Sequence, residues 1–172
     1  MSTGMTFELL SPKHACALLR FELENRDYFE TLIAPRPVGF ISEQGIARHI
    51  DAQLSAHELK LARSLVLLDG QSIIARANLK ELDDKRHSGE LGYRVAAAHT
   101  GKGVASLCVA ELARLAAGPL GLKQLYAYVL ENNPASSRVL LKNHFTQIEF
   151  IPDFTWHSGR QLDCVKYGLR LA

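Results

Sequence analysis

Apolar positions recur along the chain in patterns that predict a strand followed by two helices. A short apolar run predicts a first strand at residues 6–10. Apolar residues at spacings of three and four predict a helix at residues 12–31, and Ser42 is a typical N-cap for a second helix. Residues 32–41 contain two prolines and a glycine, which exclude a regular helix there.

The middle of the chain has the pattern of an antiparallel meander. Residues 63–68 and 72–79 are rich in Val, Ile and Leu, and Asp69-Gly70 between them predicts a hairpin turn. A charged turn leads to a fourth strand at residues 91–96. A loop at 97–102 and a helix at about residues 101–117, which Gly118-Pro119 ends, follow. This order has no opening βαβ unit, which argues against a dinucleotide-binding fold.

The last part of the chain predicts one more helix between strands. Residues 124–132 form an apolar strand pattern, and Asn133 followed by Pro134 is typical of a helix start. Two further strands are predicted at residues 147–154 and 162–169. Because no repeat, low-complexity run or linker interrupts the sequence, residues 1–172 are expected to form a single domain.

The loop before the third helix has the composition of a phosphate-binding turn, because Gly101 and Gly103 flank Lys102. Free N–H groups at a helix start bind anions, and glycines let a phosphate approach the backbone closely. A P-loop would need Ser or Thr at Gly103, directly after Lys102, and the G-x-G-x-x-G pattern would need glycine at Ser106. The loop therefore predicts a pyrophosphate site, with a tight structural turn as the alternative.

Two stretches together resemble a known superfamily. Residues 100–105 are similar to its [QR]-x-x-G-x-[GA] loop, with Thr100 as the departure. Residues 133–145 are similar to an N-x-x-S-x-R-V-L-x-K-x-G-F signature, with His144 in place of glycine. His tolerates the left-handed backbone region that such a helix end requires. The chain thus resembles the GNAT superfamily of acetyl-CoA-dependent N-acetyltransferases, and within it the ribosomal-protein Nα-acetyltransferases of RimJ/RimL type.

This resemblance implies an α/β (α+β) fold, with a mixed, mostly antiparallel, splayed sheet of six or seven strands and helices on both faces. It implies acetyl-CoA as co-substrate and a primary amine as acceptor, most plausibly a protein N-terminus. A small amine (an amino acid, a polyamine or an aminoglycoside) and a non-catalytic acyl-CoA-binding module are the alternatives. The implied coenzyme-binding residues are Tyr93, Arg94, Val95, Thr100, Gly101, Lys102, Gly103, Val104, Ala105, Asn133 and Ser136.

Two residues are candidates for proton transfer. Glu90 heads the fourth strand and could accept the proton of the amine directly or through water, unless it is simply an exposed carboxylate. The resemblance makes Ser136 a candidate general acid for the departing thiolate, the alternative being a hydrogen bond to the coenzyme or to the first turn of its helix. Tyr126 and Tyr128 are alternative acids.

Composition limits the partners. The chain has 172 residues and a formal net charge of +2, too balanced to predict a nucleic-acid or membrane partner. Its three cysteines are widely spaced and fit neither a disulfide framework nor a zinc site, so no metal is expected. No signal peptide and no apolar run of about 18 residues is present, which makes the cytoplasm the expected location. The oligomeric state, including a homodimer, stays open.

Overall fold

A computed structural model describes residues 4–172, which form a seven-stranded sheet and four α-helices. The strands are β1 (Met5–Leu9), β2 (Arg63–Asp69), β3 (Ser72–Asp83), β4 (Ser88–Val95), β5 (Gln124–Leu130), β6 (Thr146–His157) and β7 (Arg160–Arg170). The helices are α1 (Ala15–Glu30), α2 (Glu43–Glu58), α3 (Val104–Ala117) and α4 (Pro134–Lys142). The predicted element order is confirmed.

The sheet is divided in its middle. Its strand order is β1-β2-β3-β4-β5-β7-β6, and every neighbouring pair is antiparallel except β4 and β5. These two parallel strands pair at three positions only, from Ser88 opposite Gln124 to Glu90 opposite Tyr126. Beyond Glu90 they diverge and leave a gap, which confirms the predicted splayed, mostly antiparallel sheet.

Helices cover both faces of the sheet, as predicted. Because side chains alternate along a strand, Leu65 and Leu67 of β2 point to one core and Val66 to the other. The first core contains apolar residues of α3 and α4, such as Cys108 and Leu112. The second contains apolar residues of α1 and α2, and Val66 packs among them. The α3/α4 face and the α1/α2 face are named accordingly below.

The predicted caps and turns are confirmed. Ser42 Oγ accepts a hydrogen bond from the Gly45 N–H at 3.0 Å at the start of α2. Asn133 Oδ1 accepts the Ser136 N–H at 3.3 Å at the start of α4. His144 follows α4 with φ +71°. This is the left-handed backbone conformation that was predicted for the end of this helix.

Several boundaries differ from prediction, and two of these differences have a clear local reason. Helix α3 begins at Val104 because Gly103 has φ +80° and ψ 5°, a left-handed conformation that serves as the N-cap. Strand β6 contains Pro152 and continues to His157, beyond the predicted end at residue 154, and its register with β7 shifts between Ile151 and Thr155. Proline is tolerated in this strand because β6 lies at the edge of the sheet. Within residues 4–172, no helix has both the length and the apolar character needed to cross a bilayer.

Candidate active site

A cleft of about 840 Å³ lies where β4 and β5 diverge. It extends from the start of α3, along β4, to the end of α1, the loop after it and α2. Of the predicted coenzyme-binding residues and the two first candidates for proton transfer, only Lys102 lies outside its lining, and that residue is exposed. The cleft brings the others together: Glu90, Tyr93, Arg94, Val95, Thr100, Gly101, Gly103, Val104, Ala105, Asn133 and Ser136.

One end of the cleft is the glycine loop before α3. Gly101 and Gly103 have φ +72° and φ +80°, and a Cβ built on either would meet no other heavy atom within 4 Å. The space over this backbone is therefore open, next to the free N–H groups of the first helical turn. Arg138 and Lys142 of α4 line the same cleft and add positive charge. Such an end fits a diphosphate.

Tyr93 of β4 and Ser136 of α4 meet across the cleft. Their hydroxyl oxygens lie 2.6 Å apart, so they share a hydrogen bond between residues 43 positions apart in sequence. Burial raises the pKa of the Tyr93 phenol, and the hydrogen bond to Ser136 acts in the opposite direction. The phenol consequently stays protonated at neutral pH and is available as a donor. The sequence analysis predicted that Tyr93 contacts the coenzyme, but no local signal in the sequence indicates its hydrogen bond to Ser136.

Glu90 lies at the last paired position of β4 and β5, where the gap opens. Its side chain is 16% exposed and lines the cleft. Lys80 of β3 is its partner in the strand register, with 3.5 Å between Lys80 Nζ and Glu90 Oε1. The carboxylate therefore faces the cleft with a lysine beside it.

The two alternative tyrosines are placed differently. Tyr128 lines the large cleft, whereas Tyr126 lines only a neighbouring cleft of about 330 Å³. Lys166 Nζ lies 4.7 Å from the centre of the Tyr126 ring and 5.6 Å from that of Tyr128. Of the two, Tyr128 is the one within reach of a ligand in the large cleft.

On the α1/α2 face, the cleft holds a group of charged residues that the sequence analysis did not connect, although it named Arg94 as a coenzyme contact. Arg36, from the loop after α1, donates from Nη2 to Glu22 Oε1 at 2.7 Å, and Glu22 is 1% exposed. Arg94 of β4 places its guanidinium 5.5 Å from the centre of the Phe29 ring. These residues come from separate elements, so no spacing in the sequence connects them.

Arg76 of β3 lies beside them and is 3% exposed. Its Nη1 lies 2.8 Å from His49 Nε2, and its Nη2 donates to Ser64 Oγ at 2.6 Å. An arginine within the apolar run Ile73-Ile74-Ala75-Arg76-Ala77 was the one sequence signal that could have indicated this site, because arginine is rarely buried without a partner.

Comparison with known proteins gives the family. Residues 6–146 match the acetyltransferase (GNAT) domain family. The chain belongs to this family. An uncharacterized N-acetyltransferase of Bacillus subtilis, YoaA, is 27% identical over 101 residues, which are 59% of this chain and 57% of that protein. The chain thus spans little more than half the length of this relative.

Solved structures of GNAT enzymes share the fold over nearly the whole chain. The ribosomal-protein-S5-alanine acetyltransferase from Vibrio fischeri superposes with a TM-score of 0.93 at 18% identity, covering 99% of this chain and 94% of that one. The spermidine N-acetyltransferase from Vibrio cholerae, in complex with CoA and spermine, gives 0.82 at 18% identity, covering 98% and 96%. In this chain, the glycine loop, the gap between β4 and β5 and the α1/α2 wall lie in one cleft.

Within the described residues, no group of three or more His, Cys, Asp or Glu side chains is arranged to hold a metal ion.

Proposed function

We propose that this protein transfers an acetyl group from acetyl-CoA to a primary amine by direct attack in a ternary complex. The observation that carries the proposal is the single cleft that joins the glycine loop of α3 to the gap between β4 and β5. The structurally similar spermidine N-acetyltransferase was determined with CoA, which supports acetyl-CoA as the co-substrate.

Different residues of the cleft bind different parts of acetyl-CoA. Backbone N–H groups of residues 100–105 hold the diphosphate, and the exposed Lys102 adds positive charge next to this loop. Backbone groups of Tyr93 and Val95, which point away from β3, line the gap, where they hold the pantetheine arm and donate to the thioester oxygen, and Arg94 between them contacts the coenzyme or the acceptor through its side chain. Donors aimed at the oxygen on which charge develops are usually the largest catalytic contribution. Fixing both reactants in one cleft contributes several kcal/mol more.

Proton transfer involves three side chains. As the new N–C bond forms and the C–S bond breaks, Glu90 accepts the amine proton directly or through water. Ser136 donates a proton to the departing thiolate and is our candidate general acid. The Tyr93 hydroxyl, 2.6 Å from Ser136 Oγ, is a positioning group that orients this proton. Asn133 contacts the coenzyme as well as capping α4.

We further propose that the acceptor is a protein N-terminal α-amine, as in the RimJ/RimL-type branch, and that the protein works in the cytoplasm. Its structural neighbour from Vibrio fischeri is named for an alanine of ribosomal protein S5. An α-amine has a pKa near 8 and is partly neutral at physiological pH, so it needs little help from a base. A carboxylate such as Glu90, with a lysine at 3.5 Å, is therefore sufficient.

An acceptor screen tests the proposal. Purified protein is incubated with acetyl-CoA and a panel of peptides, amino acids, polyamines and aminoglycosides, with free thiol and acetylated product measured by mass spectrometry. Acetylated peptide N-termini are the expected product. Preferred acetylation of a small amine would refute the protein acceptor alone. Binding of CoA without thiol release from any acceptor would refute catalysis and leave a coenzyme-binding module.

A further inference from the structure

The charged group on the α1/α2 face contains more positive than negative charge. We call Arg36, Arg76 and Arg94 the arginine cluster. Arg76 of β3 and Arg94 of β4 are direct partners in the antiparallel register, so two like charges face each other across neighbouring strands. Such pairs are destabilising. Among residues 4–172, Glu22 is the one carboxylate in an ion pair with the cluster, through Arg36, so Arg76 and Arg94 have no ion-pair partner there.

Arg76 also presents a buried donor without an acceptor. The Nη atoms of Arg76 bond to His49 and Ser64, but its Nε has no hydrogen-bond partner in the described part of the chain. The side chain is 97% buried and lines the cleft. A buried donor left unpaired is destabilising, and such groups commonly mark the site of a ligand or ion. The unpaired charge and the unpaired donor therefore occur in the same residue.

Neighbouring groups do not neutralise the cluster. His49 has a pKa lowered to about 4, first by burial and then by the charges of the three arginines, so its imidazole is neutral at pH 7. Burial lowers the pKa of Arg76 and of Arg94 to about 10, which keeps both protonated. Glu90, the acidic residue of the cleft lining, is paired with Lys80.

The cluster lies across the sheet from the diphosphate end of the cleft. Tyr93 faces α4, since its hydroxyl contacts Ser136. The next residue, Arg94, faces the opposite side of the sheet because strand side chains alternate, and it lies against Phe29 of α1. All three arginines line the cleft, so a ligand that enters it from the α1/α2 face would lie next to the cluster. The cluster is thus placed to contact the acceptor rather than the coenzyme phosphates.

We propose that the arginine cluster binds a carboxylate of the acceptor, close to the amine that is acetylated. The planar, forked guanidinium matches a carboxylate with paired hydrogen bonds. This inference rests on the proposed function and narrows its acceptor class. The carboxylate belongs either to a free amino acid or to an acidic side chain near a protein N-terminus. Polyamines and aminoglycosides, which are polycations, are disfavoured in this cleft.

Calorimetry with acetylated products and saturating CoA tests the inference without turnover. The first set of ligand pairs contains N-acetyl amino acids and their carboxamides. The second contains N-acetyl dipeptide amides with Glu or Gln at the second position. We expect at least one set to show a tenfold or greater preference for the carboxylate, and the set that shows it identifies the source. Equal binding, or absent binding, throughout both sets would overturn the inference.

Arg94→Gln supplies the decisive variant, because Arg94 has no ion-pair partner within residues 4–172 whose loss would disturb the fold. We expect it to reduce the carboxylate preference to threefold or less. It should also raise the melting temperature of the free protein, since the repulsion with Arg76 is removed. A purely structural arginine would instead lower the melting temperature and leave the preference unchanged. Arg94→Lys retains the charge without the fork and should recover part of the preference.

Arg138→Gln is the matched control, from the lining of the cleft at α4. It should weaken CoA binding and leave the ratio between carboxylate and carboxamide as in the wild type. The acceptor screen keeps the two proposals separate. Carboxylate preference without thiol release would refute catalysis alone. Thiol release with neutral and anionic acceptors used equally well would refute the carboxylate site alone.

Discussion

Gly103→Ala tests the glycine loop with the smallest possible change. Gly103 is the N-cap of α3 with φ +80°, and an added Cβ would meet no heavy atom within 4 Å in the free protein. In the free protein, the Gly103→Ala substitution therefore lowers stability only through backbone strain. In the complex, the same methyl group would occupy the space over the loop in which the diphosphate is proposed to lie.

The two effects differ in size. A left-handed conformation at a residue with a Cβ costs about 1–2 kcal/mol, which for a chain of this length lowers the melting temperature by about 2–8 °C. Displacing a diphosphate from several charge-assisted hydrogen bonds is expected to cost about 3 kcal/mol or more. This corresponds to a loss of CoA affinity of roughly a hundredfold.

Gly159→Ala is the matched control. Gly159 lies between β6 and β7, also has φ +80°, and is equally open to an added Cβ. Calorimetric titration with CoA and thermal melting of both variants separate strain from ligand contact. We expect similar melting temperatures and a loss of affinity in Gly103→Ala alone. Equal CoA affinity in the two variants would refute the diphosphate site, and so would unchanged affinity in Gly103→Glu, which adds bulk and negative charge.

Three further variants test the remaining assignments. Ser136→Ala should lower kcat about tenfold or more with a smaller change in KM, while Ser137→Ala should retain activity; an unchanged kcat would leave Ser136 a merely structural role. His49 has a folded pKa of about 4, below the ordinary value of 6.5, so the unfolded state binds more protons and stability is lost as pH falls through this window. Urea unfolding at pH 7 and pH 4 measures how much unfolding free energy is lost between these pH values. This loss should be smaller in His49→Gln than in the wild type by on the order of 2 kcal/mol, and an equal loss in both proteins would contradict the lowered pKa. Arg36→Gln leaves the buried Glu22 carboxylate unpaired and should destabilise by about 3–5 kcal/mol. The double variant Glu22→Gln/Arg36→Gln should regain most of this in urea unfolding, and a single variant as stable as the wild type would contradict the pairing.

Much of the fold follows from local signals in the sequence. Ser42 and Asn133 mark helix starts that the structure confirms through their side-chain hydrogen bonds. Asp69-Gly70 marks the hairpin between β2 and β3, where Gly70 has φ +63°. The glycine loop of α3 was predicted as well, because glycine spacing next to a helix start is a local property. Its role in binding the coenzyme remains a prediction.

The arginine cluster and the hydroxyl pair could not be predicted in this way. Arg36, Arg76 and Arg94 come from a loop and two strands, and only the strand register places two of them opposite each other. Tyr93 and Ser136 are brought together by the packing of α4 over the gap beside β4. Such sites depend on tertiary contacts between distant segments, for which periodicity and motif spacing contain no information.

The three-position pairing of β4 and β5 leaves two sheet edges inside the molecule. Open edges on a protein surface invite strands of other chains and lead to aggregation. Here the edge of β4 lines the cleft within the molecule instead. The sheet is also joined in its middle by few hydrogen bonds, so amide hydrogens of residues 91–95 that face the gap should exchange with solvent faster than those paired with β3. The pantetheine arm of acetyl-CoA contains amide groups. If it binds in the gap as proposed, it would hydrogen-bond to these residues, slow the exchange of their amide hydrogens and connect the two halves of the sheet.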